Sequence, residues 1–379
     1  MERKLRMGMV GGGRGAFIGS VHRLAAAMDG AIELACGAFS SDPERSRASG
    51  RDLLVPENRV YGDYREMIER EAALPADEKM DFVAIVTPND QHHGPSKLAL
   101  EAGFPVMCDK PLCLTLEEAK DLEATVDKTG LLFGLTHNYT GYPMVKEARQ
   151  RIRAGELGKI RRVVAEYPQG WLATRLESSG QKQAAWRADP KRSGASCCVG
   201  DIGTHAANLT EYVTGLEIEE ISAELSTFVT GRVLDDDASV LLRLGDGARG
   251  VLWASQVAID EENGLNLRVY GEKGSLEWHQ EEPNTLLLKW PDRPRELVRT
   301  GGNYARLSAD ALGATRLPAG HPEGYLEGFA NLYRSFAEAL VEGGTPDCPT
   351  VQDGVRGMAF IEATVASSND NAKWTRIRA

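Results

Sequence analysis

The feature that most constrains this 379-residue chain stands at its start. Leu5 to Val10 is a short apolar run that enters three consecutive glycines, Gly11 to Gly13, and Gly19 to Met28 follows with apolar residues at helical spacing. A strand that passes through glycines into a helix opens a β-α unit. The rhythm then repeats. Ile32 to Phe39 reads as a strand, Asp42-Pro43 opens a helix, and Asp81 to Thr87 is a continuously apolar strand of the kind buried on both faces. A helix over Pro95 to Ala102, a strand over Pro105 to Cys108, a helix whose start carries the capping pair Thr115 and Glu118, and a strand over Leu131 to Leu135 complete the series. Strands alternating with helices at this spacing require right-handed crossovers, which predicts an open, doubly wound parallel sheet.

After about Thr136 the pattern changes. One helix over Met144 to Ala154 is followed by a long polar, glycine-bearing stretch, a helix from Asp201, and mainly strands from Ile218 to Leu288 at hairpin spacing. Leu265 to Tyr270, the turn Gly271 to Gly274, and Ser275 to Trp278 read as strand, turn and strand. Pro322 to Val341 returns to helical periodicity. At about 150 residues per domain the length suggests two domains or slightly more. The predicted fold class is therefore α/β: an N-terminal Rossmann doubly wound parallel sheet over 1–136 and a C-terminal α+β domain over 137–379 with a large, mainly antiparallel open sheet.

Composition excludes several roles. With 44 basic and 55 acidic residues the net charge is -11, which works against nucleic acid as a partner. No run approaches the ~20 apolar residues of a membrane helix, and the segment before Gly11 has no signal-peptide core, so a cytoplasmic location is expected. Six cysteines without a Cys-x-x-Cys knuckle read as thiols, with no metal site.

The glycine loop carries the cofactor reading. A pyrophosphate must approach backbone N–H groups that a Cβ would obstruct, and a helix N-terminus adds partial positive charge. Gly11, Gly13 and Gly19 sit where a dinucleotide needs them, although five residues separate Gly13 from Gly19 where the standard fingerprint has two. Arg14, inside that longer loop, is either a phosphate contact or a solvated side chain. At the end of the second strand Ser40 and Ser41 stand where an acid would hold the ribose of NAD, with Asp42 expected to cap the next helix and Arg45 nearby. NAD is the expected cofactor and NADP stays open. Asn89 and His92, at the carboxyl end of a parallel strand, are candidate cofactor contacts by position.

Three segments make the identity of the fold more specific: Thr87-Pro88-Asn89-Asp90-Gln91-His92, Asp109-Lys110-Pro111, and Gly200-Asp201-Ile202-Gly203-Thr204-His205. Together they resemble the Gfo/Idh/MocA family of glucose-fructose oxidoreductase and inositol dehydrogenase relatives, along essentially the whole chain. His22, Asn138-Tyr139, Trp186-Arg187 and Gly271 to Gly274 add to the likeness. Asp109 stands where the family usually has Glu, one methylene shorter with the carboxylate kept. The resemblance implies a catalytic set of Lys110, Asp201 and His205 acting on a secondary hydroxyl of a cyclitol, sugar or glycoside, with hydride passing to nicotinamide. It also implies that Thr87, Pro88, Asn89, His92, Asp109, Lys110 and Asn138 surround the cofactor.

Asp201 and His205 are four apart, so a helix opening at Asp201 would set both on one face about 5 to 6 Å apart at Cβ. Its N-terminus would favour a neutral His205, with Asp201 opposing that effect. In this reading His205 is the base, Asp201 orients it and binds hydroxyls, and Lys110 polarises the reacting oxygen. Tyr139 or Asn138 (next to His137), Trp171, Trp186 and Arg187 are candidate substrate contacts, the aromatics for the apolar side of a sugar ring and Arg187 for its hydroxyls, with core packing as the competing role. His321 is a weaker candidate for the same cleft. Two other functions fit the same parts: a redox-neutral glycoside hydrolase that returns the hydride, and a dinucleotide-binding sensor without catalysis. A homo-oligomer, dimer or tetramer, is implied by the resemblance.

Overall fold

The computed structural model describes residues 3–301 and 307–379. The chain divides into two compact units, the first made of Met1–Asn138 and Phe329–Val355, the second of Tyr139–Gly328 and Arg356–Ala379. A single cut at 136/137 thus omits the return of Phe329–Val355 to the first unit. That return is fixed by packing: Phe82 meets the rings of Phe336 at 5.4 Å and Tyr333 at 6.4 Å, and Leu135 N–H donates to the Pro349 carbonyl at 2.7 Å.

The first unit is built in chain order from β1 (Leu5–Gly11), α1 (Phe17–Ala27), β2 (Ile32–Ala38), α2 (Pro43–Asp52), α3 (Tyr64–Ala72), β3 (Phe82–Val86), α4 (His93–Glu101), β4 (Val106–Cys108), α5 (Leu116–Thr129) and β5 (Phe133–Leu135). Its five strands are all parallel, in the order β2-β1-β3-β4-β5. An isolated parallel bridge from Gly37 to Val60 marks where a further strand would lie beyond β2. Counted with that bridge, the order is that of two mononucleotide-binding halves, with the reversal between β1 and β3. β3 is buried at every residue, as its unbroken apolar run requires. Helix α3 has no counterpart in the sequence reading; five of its nine residues are Glu or Arg, and only Met67, Ile68 and Glu71 are buried.

Local signals act as expected at the helix ends. The Asp42 side chain accepts from the N–H groups of Glu44 and Arg45 and starts α2. Thr115 accepts from Glu118 N–H at 3.2 Å, while the Glu118 carboxylate reaches back to Leu114 N–H at 3.0 Å, one residue beyond the usual capping-box partner.

The second unit continues with α6 (Pro143–Arg153), β6 (Ile160–Pro168), α7 (Lys182–Arg187), α8 (Pro190–Ser193), α9 (Thr204–Thr214), β7 (Ile218–Ser226), β8 (Asp237–Leu244), β9 (Arg249–Ser255), β10 (Asn266–Gly271), β11 (Ser275–His279), β12 (Thr285–Lys289), β13 (Glu296–Arg299), α10 (Ala309–Gly313) and β14 (Thr375–Arg376). α11 (Tyr325–Glu342) and α12 (Val351–Asn369) each run through residues of both units. The nine-stranded sheet has the order β13-β12-β11-β10-β6-β9-β8-β7-β14 and is antiparallel throughout except for β6 beside β9. The strand at its centre, β6, falls in the stretch that the sequence reading left as polar and irregular. Arg161, Arg162 and Glu166 interrupt the apolar run, and the buried positions Ile160, Val163, Ala165 and Tyr167 show the alternation only once the face is known. α6 packs on β11 and β12, α9 on β6, β9 and β10, and the two helices on each other. Among the described residues no helix is long and apolar enough to cross a membrane.

Candidate active site

In the first unit the glycine loop follows β1. Gly11 and Gly12 hold φ of 83° and 71°, backbone that glycine adopts without strain. A Cβ on Gly19 would lie 2.3 Å from the Gly12 Cα, so loop and helix touch backbone to backbone. Gly12 is therefore the partner of Gly19 in this close approach, a role the spacing of Gly11, Gly13 and Gly19 did not assign. Gly13 is confined too, a Cβ there meeting the Phe39 carbonyl oxygen at 2.6 Å. Helix α1 begins at Phe17, so Gly19 sits in its first turn and not at its opening. Its N-cap, Ala16, offers no side-chain acceptor and no acid stands in the first turn, which leaves that helix end to a ligand.

Arg14 lies on the surface, as the solvated alternative expects. Its guanidinium pairs with Asp52, Nη2 to Oδ1 at 2.7 Å, on the exposed surface, while its N–H donates to Ser49 Oγ. Ser40 Oγ accepts from Asp42 N–H, and the Asp42 carboxylate is engaged in capping α2, so no acid is presented at the end of β2.

The carboxyl ends of β3 and β4 gather the remaining cofactor candidates. Thr87 and Pro88 follow β3, and Asn89 is buried behind them. His92 is buried with Nδ1 2.7 Å from the Pro111 carbonyl and Nε2 2.9 Å from the Thr87 carbonyl. Asp109 Oδ1 accepts from Lys110 N–H and from the Thr136 hydroxyl, both at 2.9 Å. Lys110 is half-buried, and the peptide bond to Pro111 is cis. Asn138 is 1% exposed, and its side-chain Nδ2 has no hydrogen-bond partner. A cradle that tolerates no Cβ, an uncapped helix end and an unsatisfied buried amide at the strand ends fit a dinucleotide with its nicotinamide amide to satisfy.

The second unit holds the other half of the candidate set. Arg187, at the end of α7, donates from Nε to Asp201 Oδ2 at 3.0 Å, and Gln256 Nε2 donates to the same oxygen at 2.9 Å. Trp186 and Trp171 lie against the guanidinium, with ring centroids 4.2 and 5.8 Å from Cζ. Trp171 also packs on the cluster of Leu172, Ala184, Cys197 and Leu234, which is the core-packing role.

Asp201 does not open a helix. The backbone is already helical at Cys198, Val199–Gly203 forms a π turn, and α9 continues from Thr204. π turns of this kind are frequent at functional sites, and this one alters the rotation per residue between Asp201 and His205, so simple α spacing does not carry over. The helix's free N–H groups lie earlier. Asp235 takes them: its buried carboxylate accepts from Cys197 N–H, Val199 N–H and the Ser196 hydroxyl, with burial pushing its pKa up. The helix-end argument for a neutral His205 therefore falls away.

His205 is buried against the edge of Tyr139, centroids 4.8 Å apart. Tyr139 is itself locked. Tyr167 donates to Asn263 Oδ1 at 2.7 Å, Asn263 Nδ2 donates to the Tyr139 hydroxyl at 3.2 Å, and Tyr139 closes the ring on Tyr167 at 2.6 Å. Burial raises the pKa of both phenols, so both stay protonated. His321 is exposed and bonded within its own turn to the Pro318 carbonyl. Tyr167, Asn263, Gln256 and Asp235 escaped the sequence reading. Each sits at a strand end or in a loop, where no periodicity marks it.

Both parts of the chain match known proteins. Residues 5–149 match the family described as oxidoreductases with an NAD-binding Rossmann fold, and residues 145–277 match the GFO/IDH/MocA C-terminal domain. An inositol dehydrogenase homolog from Azotobacter vinelandii complexed with NAD+ is 36% identical with a TM-score of 0.94, covering 99% of this chain and 98% of that one. The same homolog complexed with NADH and myo-inositol gives 35% and 0.91, over 99% and 98%. An oxidoreductase from Sinorhizobium meliloti is 47% identical with a TM-score of 0.89, over 98% and 99%. The uncharacterized oxidoreductase YfiI of Bacillus subtilis is 34% identical over 100% of this chain and 98% of its own. With both domains matched in order and relatives aligned end to end, the chain belongs to the GFO/IDH/MocA oxidoreductase family.

Proposed function

We propose that this protein is an NAD-dependent dehydrogenase that oxidises a secondary hydroxyl of a cyclitol or sugar ring. The observation that carries this reading is the Asp201 carboxylate, held by Arg187 and Gln256 in a π turn one helical turn before a buried His205. A polyol needs acceptors and donors in fixed positions, and a charged pair flanked by Trp171 and Trp186 supplies both beside an apolar ring surface.

The NAD site fits the glycine loop of Gly11, Gly12, Gly13 and Gly19, with Ser40 and Ser41 at the ribose and Thr87, Pro88, Asn89, His92, Asp109 and Asn138 around the strand ends. Arg14 takes no part in this reading, since Asp52 holds it. NAD when bound supplies the hydride acceptor. The chain's own groups do the rest. Lys110 donates to the reacting hydroxyl oxygen, His205 removes its proton, and Asp201 fixes the substrate hydroxyls and the imidazole. Arg187 holds Asp201 and meets substrate hydroxyls, and Tyr139 forms the wall that sets the tilt of the His205 ring.

The protein works in the cytoplasm as a homo-oligomer. Its six cysteines are all buried thiols, as suits a reducing compartment. Self-association is supported by apolar side chains beside Trp253 of the large sheet, Phe228 being 67% and Ile259 83% exposed.

The test is a reduced-nicotinamide absorbance screen with NAD and NADP separately against inositols, aldoses, sugar acids and glycosides. NADH formed with one polyol is the expected result. Free sugar released from an aryl glycoside without NADH would favour the redox-neutral hydrolase, and tight NAD binding without either product would favour the sensor.

A further inference from the structure

Three histidines of the first unit are buried, and they are not equivalent. His22 shares a hydrogen bond with the Tyr333 hydroxyl through Nδ1 at 2.7 Å, and its Nε2 has no hydrogen-bond partner, lying 4.0 Å from Asp109 Oδ1. Burial lowers its pKa to about 4, against the pull of Asp109. His137 is lowered to about 3 by burial and then by Lys110. Both are neutral near pH 7.

His92 faces something different. Each of its ring nitrogens meets a backbone carbonyl oxygen, Pro111 at 2.7 Å and Thr87 at 2.9 Å. A carbonyl oxygen can only accept, so each contact requires an N–H on the ring. Neutral imidazole carries one N–H and one lone pair. In either neutral tautomer a nitrogen lone pair would point at an oxygen lone pair at hydrogen-bond distance, inside a site that is 1% exposed. Only the imidazolium satisfies both oxygens.

We propose that His92 is a positioning residue held as a doubly protonated imidazolium, a fixed internal cation that ties the end of β3 at Thr87 to the loop after β4 at Pro111 and thereby sets the place of Asp109 and Lys110. The titratable groups that face it are Cys108 of β4, Asp109 directly after β4, and the neutral His22 of α1. Burial opposes the charge, and Cys108, Asp109 and the Pro111 carbonyl outweigh it, raising the pKa to about 9. Asp109 is itself pinned by Lys110 N–H and Thr136, so Lys110 is anchored on both sides, by Asp109 before it and by the Pro111 carbonyl after it. Loss of the His92 proton removes one of the two carbonyl bonds and frees the loop that carries Lys110.

The decisive measurement is nitrogen NMR of the intact protein labelled with 15N-histidine. At pH 7.5 one imidazole should carry slowly exchanging protons on both nitrogens, should keep them until about pH 9, and should vanish from the spectrum of His92→Gln. Surface histidines exchange their ring protons rapidly, so slow exchange identifies His92 in the wild-type protein even where the variant does not fold. Absence of any slowly exchanging, doubly protonated imidazole at pH 7.5 overturns the proposal. A second readout rests on the dehydrogenase reading: wild-type kcat should fall above pH 9, whereas His92→Gln, about tenfold slower, should lack that limb. A variant that keeps the wild-type limb overturns the positioning role. The NMR result stands whether or not a polyol substrate is found, so failure of the dehydrogenase reading and failure of this proposal are separable.

Discussion

Arg187 Nε lies 3.0 Å from Asp201 Oδ2, so two residues that the sequence assigned to different tasks form one charged unit. Both are largely shielded, at 21% and 14% exposure of their side chains, and Gln256 completes the clamp on the same oxygen. In such surroundings removal of one partner leaves the other charge uncompensated.

Arg187→Met is therefore expected to lower kcat/KM for the polyol about 100-fold with the dissociation constant for NAD unchanged. Arg187→Lys should recover only part of this, because its ammonium cannot bond Asp201 and Gln183 with one planar fork as Arg187 does. Steady-state kinetics beside a fluorescence titration of NAD separates the two effects.

His205→Ala should lower kcat by about 10²–10⁴-fold, the range of a lost general base, and leave NAD affinity unaltered. Equal losses in turnover and in cofactor binding would show that the buried ring against Tyr139 is a packing element.

Gly19→Ala places a Cβ 2.3 Å from the Gly12 Cα and 2.5 Å from the Gly12 carbonyl oxygen. Backbone on both sides leaves nothing flexible to yield, so a loss of about 1–3 kcal/mol is expected, as for overpacked cores, together with weaker NAD binding. Gly313→Ala in α10, where an added Cβ meets nothing within 4 Å, is the control and should melt no lower than wild type. Differential scanning calorimetry with and without NAD reads both.

The buried histidines set a stability optimum. His22 and His137, lowered to about 4 and about 3, bind fewer protons folded than unfolded below pH 6.5, so stability falls as pH drops from 6.5 toward those values. His92, raised to about 9, contributes stability that is complete below pH 6.5 and lost as pH rises through 9. The urea midpoint should peak near pH 6.5, and His22→Gln should flatten the acidic limb. A midpoint that rises steadily from pH 6.5 to 9 would contradict the assignment of His92.

Much of the first unit was legible because its signals are local. The apolar runs of β1 to β5 are bounded by turns, Asp42 and Thr115 cap the helices that follow them, and Gly19 stands where α1 must meet the loop. The second unit was less legible. β6 hides behind three charged residues, and its place between β9 and β10 depends on partners 87 to 111 residues away. In the site, Lys110, Asp201 and His205 came from segments resembling a family. Tyr167, Asn263, Gln256 and Asp235 came from nothing in the sequence, since a strand-end polar residue looks the same whether it faces water or a neighbour.

What the sequence by itself determined is the alternation of strands and helices in the first unit, the glycine loop and the chemical types available at the strand ends, because propensity, capping and close backbone approach act over a few residues. Tertiary structure alone decided which groups pair with which: Arg14 with Asp52, Asp201 with Arg187, the free N–H groups before the π turn with Asp235, and His92 with two carbonyl oxygens. Protonation and pairing are set by desolvation and by groups distant in the chain, and these exist only once the chain has folded.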